Sequence, residues 1–155
     1  MVATVFVMLF LWLSSVPLLS WYEYSAHHRE LEDASFAWHQ QRLGDYSFEF
    51  DAAGSTEYPF RLPLRIHVRD GSLLNAYELD SNKAVDISGL TDVPHTIDMA
   101  YDIVAGLLEQ RPHSIDIRYD ALLHYPREIS VRPSASGEDS VTYYLGALQE
   151  ADGRR

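Results

Sequence analysis

Apolar residues recur at every second position in several short runs of this chain, and at every third or fourth position between Thr96 and Leu108. The first period predicts strands and the second a helix. Tyr46, Phe48 and Phe50 alternate with Ser47, Glu49 and Asp51. Phe60, Leu62, Leu64, Ile66 and Val68 share one face of the longest run, with Arg61, Pro63, Arg65, His67 and Arg69 on the other. Pro63 cannot donate to a ladder and points to an edge position or a bulge. Asp70-Gly71 then signals a two-residue hairpin. Folding about it sets Val68 against Leu73, Leu64 against Tyr77 and Leu62 against Leu79, apolar on apolar.

Thr96 is placed to cap a helix whose stripe is Ile97, Tyr101, Val104 and Leu108, with Asp98 in its first turn and Pro112 beyond its end. Three more alternating runs follow, around Ile115–Tyr119, Glu128–Arg132 and Val141–Leu145. Upstream, Glu30–Leu43 reads as a helix with Leu31, Ala34 and Trp38 along one side, stopped by Gly44. Ala52–Glu57 reads as a loop, Asp80–His95 as a long irregular connection, and residues 150–155 as a frayed tail. The order αβββαβββ predicts an α+β fold, an antiparallel sheet of about six strands with two helices on one face.

Residues 2–22 contain no charged side chain. A helix of that length extends roughly 31 Å, the thickness of a bilayer's hydrocarbon core, and Trp21, Tyr22 and Tyr24 fall where an interfacial aromatic belt belongs. A cleaved signal fits less well. Its apolar run is shorter, and small residues precede the cut at two positions, whereas Leu18 lies before Ser20 and Tyr24 before Ala26. The expected division is a transmembrane anchor at 1–22, a juxtamembrane segment leading into the first helix at 23–43, an α+β domain at 44–149 and the tail. The expected address is the inner (cytoplasmic) membrane, single-pass, with the C-terminal domain outward in the periplasm or cell exterior.

Charge narrows the partners. The formal net charge is -11, all of it beyond the uncharged leader, which argues against nucleic acid. Cysteine is absent, so disulfides, thiolate metal sites and a lipidated cysteine anchor are excluded. Of the seven histidines, His27 and His28 are adjacent and point apart on a helix, and His67, His95, His113 and His124 lack ligand-type spacing. No metal or cofactor is expected.

Two groups could carry chemistry. Arg61, Arg65, His67 and Arg69 form a basic row on one strand face, suited to a carboxylate, a phosphate or an acidic partner. The same row could equally pair across strands with Glu49, Asp51, Glu78 and Asp116. Asp120, His124 and Tyr125 cluster in one loop, where acid–base work competes with simple turn formation by Asp120. The expected function is a non-catalytic module binding a protein or envelope polymer through the open sheet face or the Asp80–His95 loop. The alternative is a small hydrolase-like enzyme using Asp120 and His124.

The stretch Ile115-Asp116-Ile117-Arg118-Tyr119-Asp120, followed by Tyr125-Pro126-Arg127-Glu128-Ile129, resembles domain-of-unknown-function family 6174 of bacteria. Its members show a strand ending in Tyr-Asp, a short loop with Gly-Tyr-Pro, and another strand. Thr96-Ile97-Asp98, Val68-Arg69-Asp70-Gly71 and Trp38 ahead of the Tyr46 strand are similar too, so the likeness spans about Trp38 to Leu148. His124 stands where the family has Gly, and the family's cysteines near the first hairpin are missing. The resemblance implies export or membrane attachment and a small α+β domain, and it carries no activity.

Overall fold

The computed structural model describes residues 24–151. Helix α1 spans residues 24–41. It is followed by β1 (Tyr46–Gly54), β2 (Leu64–Arg69), β3 (Ser72–Glu78), β4 (Ala84–Val85), α2 (Ile97–Glu109), β5 (Ser114–Tyr119), β6 (Pro126–Arg132) and β7 (Val141–Glu150). The strands form one antiparallel sheet in the order β4-β3-β2-β1-β7-β6-β5. The fold class is α+β as expected, with seven strands in place of six; the added one is the two-residue β4 inside the Asp80–His95 connection. Among the described residues no helix is long and apolar enough to cross a membrane. The expected span at 2–22 lies outside them.

Alternation makes one sheet face apolar, and both helices cover that face. Tyr46, Phe48, Phe50, Leu64, Ile66, Val68, Ile129, Val131 and Leu145 are buried together with Leu31, Ala34 and Trp38 of α1 and Ile97, Ala100, Tyr101, Val104 and Leu108 of α2. The Trp38 indole meets Tyr46 edge-on at 5.5 Å and donates Nε1–H to Asp98 Oδ1 at 3.1 Å, tying α1 to β1 and to α2. The Tyr46 hydroxyl accepts from Ile97 N–H at 3.0 Å, and burial pushes this phenol up to about 12. Thr96 caps α2 through Met99 N–H at 3.1 Å, as its sequence predicts.

Several boundaries differ from the sequence reading. Helix α1 begins before Glu30 and ends at Gln41, short of Leu43, with Arg42 in the left-handed conformation that closes it (φ 55°). Strand β1 runs through the expected loop as far as Gly54, and β2 begins only at Leu64, beyond Pro63. The connection from Asp80 to His95 is pinned, since Ile87 and Val93 are fully buried and the His95 ring bonds Ile87 O. Strand β7 extends to Glu150, which pairs with Tyr46, and Ala151 N–H bonds Asp45 O, so the expected fraying does not begin at 150; residues 152–155 lie outside the description.

The β2–β3 hairpin corrects the register. Asp70 (φ 50°) and Gly71 (φ 69°) form the left-handed pair that a tight hairpin turn requires, and Val68 does face Leu73. A bulge between His67 and Val68 then sets Leu64 against Glu78 and Arg65 against Tyr77. The slip reverses the faces of β3. Glu78 turns to the buried side, where it accepts from Ser81 Oγ and Arg61 N–H, and Tyr77 turns outward.

Candidate binding face

Among the described residues, nothing is layered over the sheet face opposite the helices. Its polar positions line up across strands that are antiparallel throughout. One row runs Tyr77, Arg65, Glu49, Gly146, and another Arg118, Glu128, Tyr144, Asp51.

In the first row the Arg65 guanidinium bonds Glu49 Oε1 in a partly buried ion pair. One step along β2, the His67 ring meets Tyr77 edge-on at 6.0 Å. Burial, then the neighbouring Arg65 cation, lowers the His67 pKa, so this imidazole is neutral at pH 7. Asn75 lies across from His67, and its Oδ1 is buried with no hydrogen-bond partner among the described residues. In the second row Arg118 fans between Asp116 at 3.5 Å and Glu128 at 3.3 Å, and Tyr144 is 42% exposed. Gly146 puts no side chain beside Glu49. A shallow hollow of about 430 Å³ lies here, edged by Arg118, Arg127, Glu128 and Tyr144. A second, of about 300 Å³, adjoins Asp116, Ser130 and Thr142.

Of the expected basic row, the structure places Arg65, His67 and Arg69 on the open side of β2, with Arg69 exposed at the hairpin end. Arg61 leaves the row. It precedes the strand, and its backbone N–H is bonded to Glu78 Oε1 at 3.1 Å. Glu78 leaves the set of expected cross-strand partners as well, because it faces the core. Its carboxyl is held below the usual range by the Ser81 hydroxyl and then by Arg61 N–H.

Asp120, His124 and Tyr125 are on the helix side, away from this face, and they are parts of a turn. Asp120 Oδ1 accepts from Leu122 N–H at 2.9 Å and Leu123 N–H at 2.8 Å, while its own N–H bonds Tyr125 O and its carbonyl accepts from His124 N–H. Burial tends to raise the Asp120 pKa, but the two backbone bonds outweigh it and the net shift is downward. His124 is left-handed (φ 64°), and its carbonyl accepts from the Tyr101 hydroxyl at 2.9 Å. This backbone state explains why glycine suits the position. Tyr125 is 4% exposed and packs at 6.4 Å from Trp38. A carboxylate engaged by two amides and a phenol sealed in the core are poor acid–base groups. Among the described residues no cluster of three or more His, Asp or Glu side chains could hold a metal.

The sequence reading missed Tyr77, Arg118, Glu128, Tyr144 and Gly146 as members of one surface. Arg118, Glu128, Tyr144 and Gly146 sit at outward positions of alternating runs, which was a legible signal, whereas Tyr77 reads inward and is turned outward by the bulge. Their adjacency depends on β1 pairing with β7, and no local signal encodes that.

A two-layer α+β domain with one uncovered antiparallel sheet face defines the class of protein. The chain belongs to the family of unknown function DUF6174, matched over residues 30–150. No curated protein and no solved structure matches it.

Proposed function

We propose that this protein is a membrane-anchored, extracytoplasmic, non-catalytic module that binds a protein or envelope polymer on its open sheet face. The observation that carries the reading is the two polar rows, Tyr77-Arg65-Glu49 and Arg118-Glu128-Tyr144, displayed on the sheet face that no helix of the described residues covers. Strand backbones hold these side chains rigidly, and the cations are already paired with carboxylates, so a partner meets ordered groups of mixed charge. The anchor rests on the uncharged run 2–22 and the aromatic residues at its end. The hydrolase alternative draws less support, because Asp120 and Tyr125 are engaged by the fold.

Site-specific photo-crosslinkers installed at Tyr77 and Tyr144, with Phe36 on the outer side of α1 as control, test the reading in intact cells. The expected result is one discrete adduct with a molecule other than a second copy, from the two sheet positions and in the membrane fraction. An adduct from Phe36 alone, or none from the sheet, overturns it.

A further inference from the structure

The two edges of the sheet are unequal. Strand β4, on one side, has two residues, a length that resists further pairing, whereas β5, on the other, has six and contains neither Lys nor Pro. The His113 N–H donates to Pro133 O at 3.2 Å, so 113, 115 and 117 direct their backbone groups toward β6. Ser114, Asp116 and Arg118 therefore direct theirs away from the sheet. The Asp116 and Arg118 side chains stand on the open face, 65% and 68% exposed.

We propose that β5 pairs antiparallel with β5 of a second copy about a two-fold axis at Ile117. In this register Asp116 faces Arg118 of the second copy, and Arg118 faces its Asp116, with the outward amides and carbonyls of both residues closing the ladder. Ile117 meets its own equivalent, and Ile115 meets Tyr119, a β-branched residue against an aromatic one. The adjacent registers that also satisfy these backbone groups are penalised. A centre at Asp116 sets that carboxylate against its own copy. A centre at Arg118 does the same to the guanidinium. The strand is self-complementary in charge in one register only. The chosen register also brings the turn bearing Leu122, 81% exposed, beside the segment entering β5 of the other copy. The axis stands normal to the sheet, so the helices stay on one side and the two open faces join into a continuous surface.

The test is the mass of the full-length protein in detergent, by light scattering on a sizing column. Wild type is expected to dimerise. Asp116→Arg and Arg118→Asp, each with an unchanged circular dichroism spectrum, are expected to weaken association roughly tenfold or more. An equimolar mixture of the two variants should restore a heterodimer, as should the double swap Asp116→Arg/Arg118→Asp on its own. If Arg118→Asp unfolds through loss of its Glu128 contact, Asp116→Arg and the double swap decide the matter. The chain has no cysteine, so oxidising a mixture of Asp116→Cys and Arg118→Cys proteins should give a 116–118 disulfide. A monomeric wild type, reversals without effect, or a predominant 116–116 disulfide overturns the proposal.

Discussion

Tyr125, in the turn that leads into β6, and Tyr144, on β7, have opposite surroundings. Tyr125 is 4% exposed and packs beside Trp38, with burial pushing its phenol up. Tyr144 is 42% exposed among Arg118, Glu128 and Asp51. The contrast extends to their neighbourhoods. Around Tyr125, Asp120 accepts two backbone amides, His124 supplies a left-handed corner, and Tyr101 bonds the corner's carbonyl. Around Tyr144, Arg118 pairs with Asp116 and Glu128, and Asp51 accepts from Ala52 N–H of its own strand at 2.8 Å. A polar cluster that looks chemical in a sequence can be wholly committed to the backbone, while a better candidate for recognition lies in residues scattered over four strands.

The largest break in the comparison is truncation. Tyr125→Ala is expected to lower stability by about 3–5 kcal/mol, as for other buried aromatics. Tyr144→Ala is expected to change it by less than about 1 kcal/mol. Urea denaturation followed by circular dichroism, with equal m-values, separates them. Similar losses from the two would remove the distinction between the regions.

A smaller effect follows from acid. The Asp120 carboxyl lies below its ordinary value of 3.8 in the fold. The folded state therefore binds fewer protons than the unfolded one, and the stability from this group is complete above 3.8 and lost as the pH falls through the lower, folded value. Asp120→Asn keeps an acceptor for the turn without the charge. It is expected to be less stable than wild type at pH 7 by up to about 1 kcal/mol, the scale of one hydrogen bond, and the gap should close below pH 3.8. A gap that stays constant with pH would show that the carboxylate charge is irrelevant to the turn.

The smallest expected effect comes from glycine in place of His124. Glycine adopts φ 64° freely, so His124→Gly should be within about 0.5 kcal/mol of wild type, the relief of strain offset by the freer unfolded chain. His124→Val, β-branched at a left-handed position, should lose about 1–2 kcal/mol. Thermal melting of the pair checks the order, and equal melting temperatures would contradict it.

The sequence made the local elements legible wherever period and cap coincided. The Tyr46-Phe48-Phe50 row, the Thr96 cap with the Ile97–Leu108 stripe, and the Asp70-Gly71 turn are all where the pattern puts them. It failed where geometry is set by tertiary partners. The bulge between His67 and Val68 has no marker in the alternation, and it moved Tyr77 outward and Glu78 inward. Strand β4 is two residues long and exists only because β3 lies beside it. Ile87 and Val93 are isolated in a polar connection, yet both are fully buried. The basic row on β2 was legible at three of its four positions: Arg65, His67 and Arg69 lie as expected, and Arg61 was lost with the late start of the strand. The rest of the face could not be assembled without the β1–β7 pairing, which joins segments nearly a hundred residues apart.

The central claim is that recognition belongs to the open face and that the Asp120–Tyr125 turn is structural. The most direct measurement is the yield of the Tyr144 photo-adduct in cells carrying either Arg65→Glu with Arg118→Glu, or Asp120→Asn with His124→Gly, at matched protein levels. The first pair is expected to abolish the adduct and the second to leave it intact. An adduct that survives the arginine reversals and disappears with the turn variants would contradict the account.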